Sequence, residues 1–553
     1  MKKKSFLYGA MLLTISAIIS KVLGAIYRIP LTNLIGSEGI GIYQMIFPVY
    51  ALLLVISSSG IPVCVSRLVS GEIANKKHEH LGFILKKAVI LTIIISSISS
   101  LIVFFGANYL ATLQGNTMAT IGYFAISPAI LLGSLVAVFR GYFEGLQDMR
   151  PTAISEVIEQ IAKVALGLLL AGLMFSRGLE YGVMGAVLGI SLGEVVSLFV
   201  VLIMYRHNLK KQKTATMQQE GFEKEVIVLQ NGLENKTVIS LEKKGFMKSL
   251  FKESLPITFG AIIIPLTLFI DSVLMINLLT GVGFSTTTST RLFGLQAGVV
   301  ASLVQLPIII SISLATALLP NIVAANTVKN NEEISKKSTF AIKLVWFFSF
   351  ASFLGYILLA GDITHFLYAE GLENSLIDEV QIVINLIYIS AISIIYHSFL
   401  RIFISLLHAI NKSPLVAKNL FIASVVKIVL TIVLVTMPTI NIYGASLAST
   451  IGYAVGCIVC LWSIRKFIVL NFTKKEFVVA PMLSGVLLVG LVLLTKFLLS
   501  LFLPQSITTL VAILIGGLGY LIGIIILKGF HEKELESFSF FSKILKKRKK
   551  QIE

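Results

Sequence analysis

Residues 477–527 read FVVAPMLSGVLLVGLVLLTKFLLSLFLPQSITTLVAILIGGLGYLIGIIIL, and Lys496 is the one charged side chain among them. An apolar run of about 20 residues matches the hydrocarbon core of a bilayer. The stretch therefore predicts two membrane-spanning helices, 477–502 and 507–527. The whole chain shares this character, because 56% of its 553 residues are hydrophobic and only 13% are charged. We expect an all-α polytopic membrane protein.

The same criterion finds twelve further spans, which brings the predicted number to fourteen. These twelve spans are 6–35, 40–69, 83–108, 120–143, 153–175, 182–205, 251–280, 291–325, 338–360, 380–407, 415–437 and 442–464. Grouped along the chain, they predict five regions. The regions are an N-lobe (1–205), a Lys-rich cytoplasmic linker (206–250), a C-lobe (251–470), the two C-terminal spans (471–528) and a basic cytoplasmic tail (529–553).

The formal net charge of +18 is concentrated in alternate connections between the spans. Because Lys and Arg collect in cytoplasmic loops, this alternation predicts that both termini are cytoplasmic. Only Arg177 and Arg291 depart from the pattern. We expect anionic membrane lipids to contact the Lys-rich loops and tail. Nucleic acid is not an expected partner, because no aromatic platform or folded domain accompanies the basic tail.

An internal repeat relates the two sides of the linker. Arg140 in VFRGYF (138–143) is followed by Pro151 and Lys163, while Arg401 in FLRIFI (399–404) is followed by Pro414 and Lys427. Further along, Gly185-Ala186 parallels Gly444-Ala445. Since six spans is an even number, both copies enter the membrane in the same direction. This is the parallel repeat from which two-lobed transporters are built.

Several runs near the N-terminus resemble a known superfamily. They are SKVLG (20–24) with Arg28, GIGIYQM (39–45) and SGIP (59–62). The chain resembles the multidrug/oligosaccharidyl-lipid/polysaccharide exporters, and within them the lipid II flippases and the stage V sporulation protein B branch. The chain differs from the lipid II flippases where they carry adjacent Arg and Asp, because Tyr27 and Arg28 occupy these positions here.

The resemblance implies two pseudo-symmetric six-helix lobes that form a V-shaped cavity, with two additional C-terminal helices. It implies a flippase of the bacterial cytoplasmic membrane that moves undecaprenyl-pyrophosphate-linked sugars by alternating access. The cargo expected from the resemblance is an anionic lipid-linked sugar, such as a peptidoglycan precursor for cell wall or spore cortex. Spans 13 and 14 would border a groove for its lipid tail, and cell-wall synthesis enzymes are expected partners.

Charged residues inside spans are costly and usually functional, which makes each one a candidate site residue. Lys21 and Arg28 are seven residues apart, so they share one face of span 1 and together suit a pyrophosphate. Lys163, Lys427 and Arg67 are the other candidate substrate-binding cations. The competing interpretation is structural pairing, snorkelling or, for Arg67, a helix-end anchor.

Three carboxylates are candidate partners for these cations. We expect Asp271 to pair with Arg28 and close a gate, although Asp271 bonded within its own lobe is an equal alternative. Glu194 lies at the depth of Lys163 and is expected to pair with it, with Glu159 as the competing partner. Arg140 and Arg401 are expected to be helix-end anchors, with the alternative that they gather the anionic head group at the cytoplasmic mouth. Lys496 is expected to snorkel or to touch a lipid phosphate.

The sequence offers no motif for an enzyme, a cofactor or a metal. Cys457 and Cys460 form a CxxC without a second pair or a nearby His, and they read as packing residues. The expected function is therefore transport. The alternatives are a cation-coupled multidrug exporter of the same superfamily, a membrane glycosyltransferase or ligase acting on the lipid carrier, and a non-enzymatic scaffold for envelope synthesis.

Overall fold

The computed structural model describes residues 3–75, 77, 79–220, 245–372, 378–530 and 534. These residues are almost entirely helical, because a backbone in lipid must satisfy its hydrogen bonds within one segment. The α-helices are α1 (Lys3–Ser58), α2 (Gly60–Ala74), α3 (His80–Phe105), α4 (Ala107–Leu113), α5 (Thr120–Gly145), α6 (Arg150–Phe175), α7 (Leu179–Glu220), α8 (Phe246–Gly281), α9 (Thr286–Phe293), α10 (Ala301–Thr327), α11 (Asn331–Leu372), α12 (Glu379–Ala409), α13 (Ser413–Val435), α14 (Ile442–Arg465), α15 (Ala480–Leu499) and α16 (Gln505–Ile526).

Within the described ranges, thirteen segments are long and apolar enough to cross a membrane. Twelve of them each correspond to one predicted span. The first segment, Met11–Ala74, is 64 residues long and contains the predicted spans 6–35 and 40–69. The all-helical membrane fold is thus confirmed, and the number fourteen rests on whether this segment crosses the membrane twice.

Gly36 interrupts the helical backbone of α1. Its φ of 68° and ψ of −179° lie in a region that is open essentially to glycine alone. The break separates two helical pieces, and at about 1.5 Å of rise per residue each piece is long enough for a 30 Å bilayer core. The geometry of α1 therefore supports two crossings, and the count of fourteen stays a prediction.

The chain forms two compact units. The N-terminal unit comprises residues 1–27 and 42–273, and the C-terminal unit comprises residues 28–41 and 274–553. The predicted lobes, 1–205 and 251–470, stay predictions, as do the cytoplasmic position of the linker and of the tail. Residues 221–244 and 535–553, which hold most of the predicted linker and tail, lie outside the described residues. The first part of the predicted linker is helical, because α7 continues to Glu220.

In the N-terminal unit, the core is built where α2, α3, α5 and α7 pack together. Its fully buried side chains include Val65, Ile84, Val138 and Val201. Because lipid is as apolar as leucine, helices in a membrane associate through close packing of small residues. Gly141 of α5 illustrates this, since a Cβ at its position would lie 2.5 Å from the carbonyl oxygen of Pro62 in α2.

In the C-terminal unit, three clusters of buried side chains hold the helices together. One joins α10, α11, α12 and α14, and a second joins α10, α11 and α12 with residues around Leu295. The third packs α15 and α16 against α11 through Phe347, Phe350, Leu488 and Tyr520. Helices α15 and α16 are therefore an integral part of this unit.

The predicted repeat has a counterpart in the packing within each unit. In the N-terminal unit, a Cβ at Gly193 would lie 3.2 Å from Cβ of Lys163. In the C-terminal unit, a Cβ at Gly452 would lie 2.8 Å from Cβ of Lys427. Each unit thus places an interior lysine against a glycine of the following helix. These matching contacts support the repeat.

Candidate functional site

Arg140 lies at the centre of a polar network in the N-terminal unit. Its Nε donates to Oγ of Ser155 at 2.8 Å, and its Nη2 donates to Oε2 of Glu159 at 2.7 Å and to Oγ of Ser197 at 2.9 Å. The side chains of Arg140 and Glu159 are only 19% and 22% exposed. The expectation that Arg140 anchors a helix end in the head-group region was therefore wrong, because its guanidinium is held by α6 and α7.

The expected pair between Lys163 and Glu194 is not formed among the described residues. Glu194, 5% exposed, instead accepts a hydrogen bond of 2.9 Å from the Tyr50 hydroxyl. The Nζ atom of Lys163 lies 5.4 Å from the centre of the Phe47 ring, in a cation–π contact. Glu159, the competing partner, is taken by Arg140. Equal depth in the membrane did not decide the pairing, because the facing side chains of α1 and α5 are closer.

Lys21 and Arg67 are both exposed in the N-terminal unit. Lys21 is near enough to Glu156 for their charges to interact. Glu156 also accepts a hydrogen bond of 3.1 Å from the Ser16 hydroxyl of the same helix as Lys21. Arg67 makes no side-chain hydrogen bond or ion pair within the described part of the chain. Both side chains therefore lie at the surface of this unit.

Arg28 belongs to the C-terminal unit, where its Nη1 donates to Oγ of Ser302 at 3.1 Å. Ser302 is 2% exposed, and it also donates to the carbonyl oxygen of Gly298. Arg28 is partly exposed. Asp271 belongs to the N-terminal unit, so its proposed pairing with Arg28 stays a prediction.

Two acidic residues that sequence reasoning passed over lie close to the Gly36 break in the C-terminal unit. The Ser37 hydroxyl donates to Oε1 of the buried Glu379 at 2.7 Å. Nε of Arg291 lies 3.4 Å from Oε2 of Glu38. This ion pair explains why Arg291 departs from the charge pattern of the loops, since its charge is balanced locally. The sequence signal that could have pointed to this ion pair was Glu38, an acidic residue near Gly36.

Lys427 and Arg401 lie near each other in the C-terminal unit. Nε of Arg401 donates to Nε2 of His397 at 3.1 Å, and the His397 ring stacks on Tyr453 with ring centres 4.1 Å apart. The charges of Arg401 and Lys427 are both close enough to act on His397. The guanidinium of Arg401 thus bonds within its own helix, and the helix-end anchor expected for it stays a prediction.

Two lysines are neutralised by carboxylates in the C-terminal unit. Lys343, 1% exposed, lies 2.9 Å from Oε2 of Glu476 and 2.9 Å from Oε2 of Glu534. Lys496 pairs with Oδ2 of Asp362 at 2.5 Å. The prediction that Lys496 snorkels or touches a lipid was therefore wrong, and Lys343 was missed although it falls inside a predicted span. These three ion pairs connect α11 to residues before, within and after the C-terminal helical pair.

Comparison with known proteins identifies the family of this chain. Residues 6–326, more than half of the chain, match the family model described as polysaccharide biosynthesis protein. The chain belongs to this family. The membership confirms the resemblance seen in the N-terminal runs.

Two curated relatives from Bacillus subtilis extend the match. Stage V sporulation protein B is 26% identical over 481 residues, which is 86% of this chain and 87% of the relative. Lipid II flippase MurJ is 26% identical over 460 residues, 81% of this chain and 80% of the relative. Both alignments span both compact units, so this member of the family is related to them over most of its length.

Two solved structures have the same fold. Lipid II flippase MurJ in its inward closed conformation gives a TM-score of 0.68 at 18% identity, covering 94% of this chain and 99% of that one. An inward-facing multidrug resistance MATE family transporter of the MOP superfamily gives 0.65 at 15% identity, covering 84% and 98%. This family member is a multi-pass membrane protein with the fold of that superfamily.

Proposed function

We propose that this protein is a flippase for an anionic lipid-linked sugar. The cargo is an undecaprenyl-pyrophosphate-linked oligosaccharide or a peptidoglycan precursor, moved across the bacterial cytoplasmic membrane for cell wall or spore cortex synthesis. The proposal draws on the two Bacillus subtilis relatives, one a lipid II flippase and one a sporulation protein, which each match more than four fifths of the chain. It contains no catalytic step, no cofactor and no metal.

The observation that carries the proposal is the placement of Arg28. It lies within a span, it is partly exposed, and its Nη1 donates to the hydroxyl of Ser302. A charge inside a membrane is expensive, so such residues usually face a ligand or a water-filled path. A guanidinium with fork geometry binds phosphate oxygens in pairs. A pyrophosphate-linked lipid supplies these oxygens.

Four other cations accompany Arg28 in this proposal. Lys21 and Arg67 are accessible in the N-terminal unit, and Lys163 and Lys427 lie farther inside their units. We propose that they guide the anionic head group during alternating access, driven by membrane potential or an ion gradient. Anionic lipids would contact the Lys-rich loops and the tail, both termini would be cytoplasmic, and cell-wall synthesis enzymes would supply the cargo.

One observation favours a second function, a cation-coupled multidrug exporter. Glu156, Glu159 and Glu194 bring three carboxylates into the spans of the N-terminal unit, and a cationic drug or ion needs such groups. All three carboxylates have internal partners, Glu156 with Ser16, Glu159 with Arg140 and Glu194 with Tyr50. The anionic cargo is therefore the better supported of the two, and a scaffold without transport is a third outcome to test.

The test is translocation by the purified protein in liposomes. Fluorescent lipid II and two other carrier-linked sugars are placed in one leaflet, and their appearance in the other leaflet is followed. Wild-type protein should move at least one of them, Arg28→Ala should slow the movement about tenfold or more, and the exposed helix-end variant Arg465→Ala should match wild type. No movement of any cargo would overturn the flippase. Export of cationic dyes in the same liposomes would then favour the exporter, and its absence the scaffold.

A further inference from the structure

The two repeat-related arginines differ in what surrounds them. Arg140 uses its fork on Glu159 and Ser197, and its Nε on Ser155. When the two copies of the repeat are aligned with Lys163 on Lys427, Glu159 falls on Ala423. When they are aligned with Gly193 on Gly452, Ser197 falls on Gly456. The acceptors that hold the fork in the N-terminal unit are therefore replaced by side chains without any acceptor.

The packing around Ala423 agrees with this replacement. A Cβ at Gly456 would lie 3.1 Å from Cβ of Ala423, so these two small residues face each other between α13 and α14. Arg401 donates through Nε to His397 and makes no other hydrogen bond or ion pair with the part of the chain that the structure describes. The N–H groups on both terminal nitrogens of its guanidinium thus have no acceptor among the described residues.

A second donor adjoins this guanidinium. The Tyr453 ring stacks on His397, which holds Arg401, and the side chains of Tyr453 and Arg401 are close enough to interact electrostatically. The Tyr453 hydroxyl has no hydrogen-bond partner among the described residues. Neither group is fully buried. An arginine fork and a phenol hydroxyl, with the charge of Lys427 nearby, favour an acceptor that carries negative charge.

We propose that Arg401 and Tyr453 form a binding site for a phosphate or diphosphate group in the C-terminal unit. Arg401 binds two oxygens of the group through its terminal nitrogens, and Tyr453 donates to a third oxygen. His397 is a positioning residue, since its Nε2 accepts from Nε of Arg401 and so leaves the two terminal nitrogens for the group. Lys427 adds positive charge close to the site.

The site rests on the proposed function through Lys427, which that proposal also assigns to the head group. Its own readout is binding at equilibrium, so a failure of transport and a failure of this site are distinguishable. Phosphate is favoured over carboxylate because three donors from two side chains match a tetrahedral oxyanion, while a carboxylate would use only the fork. The group can come from a free anion or from a lipid head group. Both sources present the same oxygens, and the experiment separates them.

The experiment measures binding of inorganic pyrophosphate to the detergent-purified protein by calorimetry, with sodium acetate at equal ionic strength as the comparison. Parallel samples in nanodiscs contain undecaprenyl phosphate or a neutral lipid. We expect Arg401→Gln to weaken binding about tenfold or more and Tyr453→Phe about threefold, as lost charge-assisted and neutral hydrogen bonds do. The matched control Arg465→Gln removes an exposed positive charge from the same unit and should leave binding within about twofold.

A second variant guards against misfolding as the cause. Ala423→Glu restores the carboxylate that Glu159 provides in the other unit, so it should occupy the Arg401 fork and reduce pyrophosphate binding while Arg401 is retained. Binding of pyrophosphate identifies a free-anion site, and binding of the lipid alone identifies a head-group site. The proposal is overturned if neither ligand binds, if acetate binds as well as pyrophosphate, or if Arg401→Gln and Arg465→Gln behave alike.

Discussion

Arg140 and Glu159 form an ion pair inside the N-terminal unit, with 2.7 Å between Nη2 and Oε2. Their repeat counterparts in the C-terminal unit are Arg401 and Ala423, which cannot form such a pair. One copy of the repeat thus has an arginine paired with a carboxylate, and the other has an arginine bonded to His397 without a carboxylate at the related position. The difference separates a structural arginine from an available one.

The first prediction concerns the loss of this ion pair. Glu159→Ala leaves a largely buried guanidinium without its carboxylate and should lower the free energy of unfolding by about 1–3 kcal/mol. This range is below the value for a fully buried pair because both side chains retain some exposure. The measurement is the thermal unfolding midpoint of the detergent-purified protein.

The matching control for the first prediction is Glu180→Ala, near the start of α7. Glu180 makes no hydrogen bond or ion pair within the described residues, so its removal should leave the midpoint unchanged. An equal loss of stability in both variants would show that the pair contributes nothing specific. Arg140→Met together with Glu159→Leu should recover part of the loss, because apolar replacements of a buried pair leave no stranded charge.

The second prediction concerns Lys343, which two carboxylates surround in the C-terminal unit. Lys343→Met strands Glu476 and Glu534, of which Glu476 is 5% exposed, and should destabilise the protein by about 3–5 kcal/mol. The same loss should release the chain after α16 and increase its cleavage by added protease. The control is Lys336→Met, which breaks an exposed pair with Glu332 on the same helix. Equal protease sensitivity of the two variants would contradict the role of Lys343 as a clamp.

The third prediction concerns the close approach of α5 and α2. In Gly141→Ala the new methyl group would lie 2.5 Å from the carbonyl oxygen of Pro62 and 2.7 Å from its Cα, and backbone atoms cannot rotate away. We expect a loss of about 1–3 kcal/mol in thermal unfolding. The control Gly82→Ala meets nothing within 4 Å, and it should keep or slightly raise stability, because alanine favours a helix. A neutral Gly141→Ala would mean that α2 and α5 can separate freely.

The helices were predictable because the apolar length of each membrane span is visible in its own residues. A run such as 507–527 carries its apolar length in sequence, and the structure places α16 at Gln505–Ile526. The connection predicted at 36–39, between spans 6–35 and 40–69, contains the break that the structure shows at Gly36. The backbone angles of Gly36 were not predictable, because a glycine in an apolar helix is common. Extension of α7 to Glu220 was missed because a polar helix end resembles a linker in composition.

The partners of the charged side chains were not predictable from sequence. Lys496 and Asp362 are 134 positions apart, and their pairing depends on which faces of α15 and α11 pack together. Lys163 and Glu194 were matched by depth alone, although the rotation of each helix about its axis decides contact. The repeat carried more information. It linked Arg140 to Arg401 as related positions, and the changed neighbours of Arg401 then became visible.

The fourth prediction tests the number of crossings in residues 11–74. In a variant without Cys64, Cys457 and Cys460, single cysteines are introduced at the exposed positions Asn75, Lys329 and Phe502. If α1 crosses twice and both termini are cytoplasmic, a membrane-impermeant maleimide should label Phe502→Cys in whole cells, and the other two only after lysis. A single crossing with a cytoplasmic N-terminus would place Asn75 outside. Labelling of Asn75→Cys in intact cells would therefore reject fourteen spans, while labelling of Phe502→Cys alone would support them.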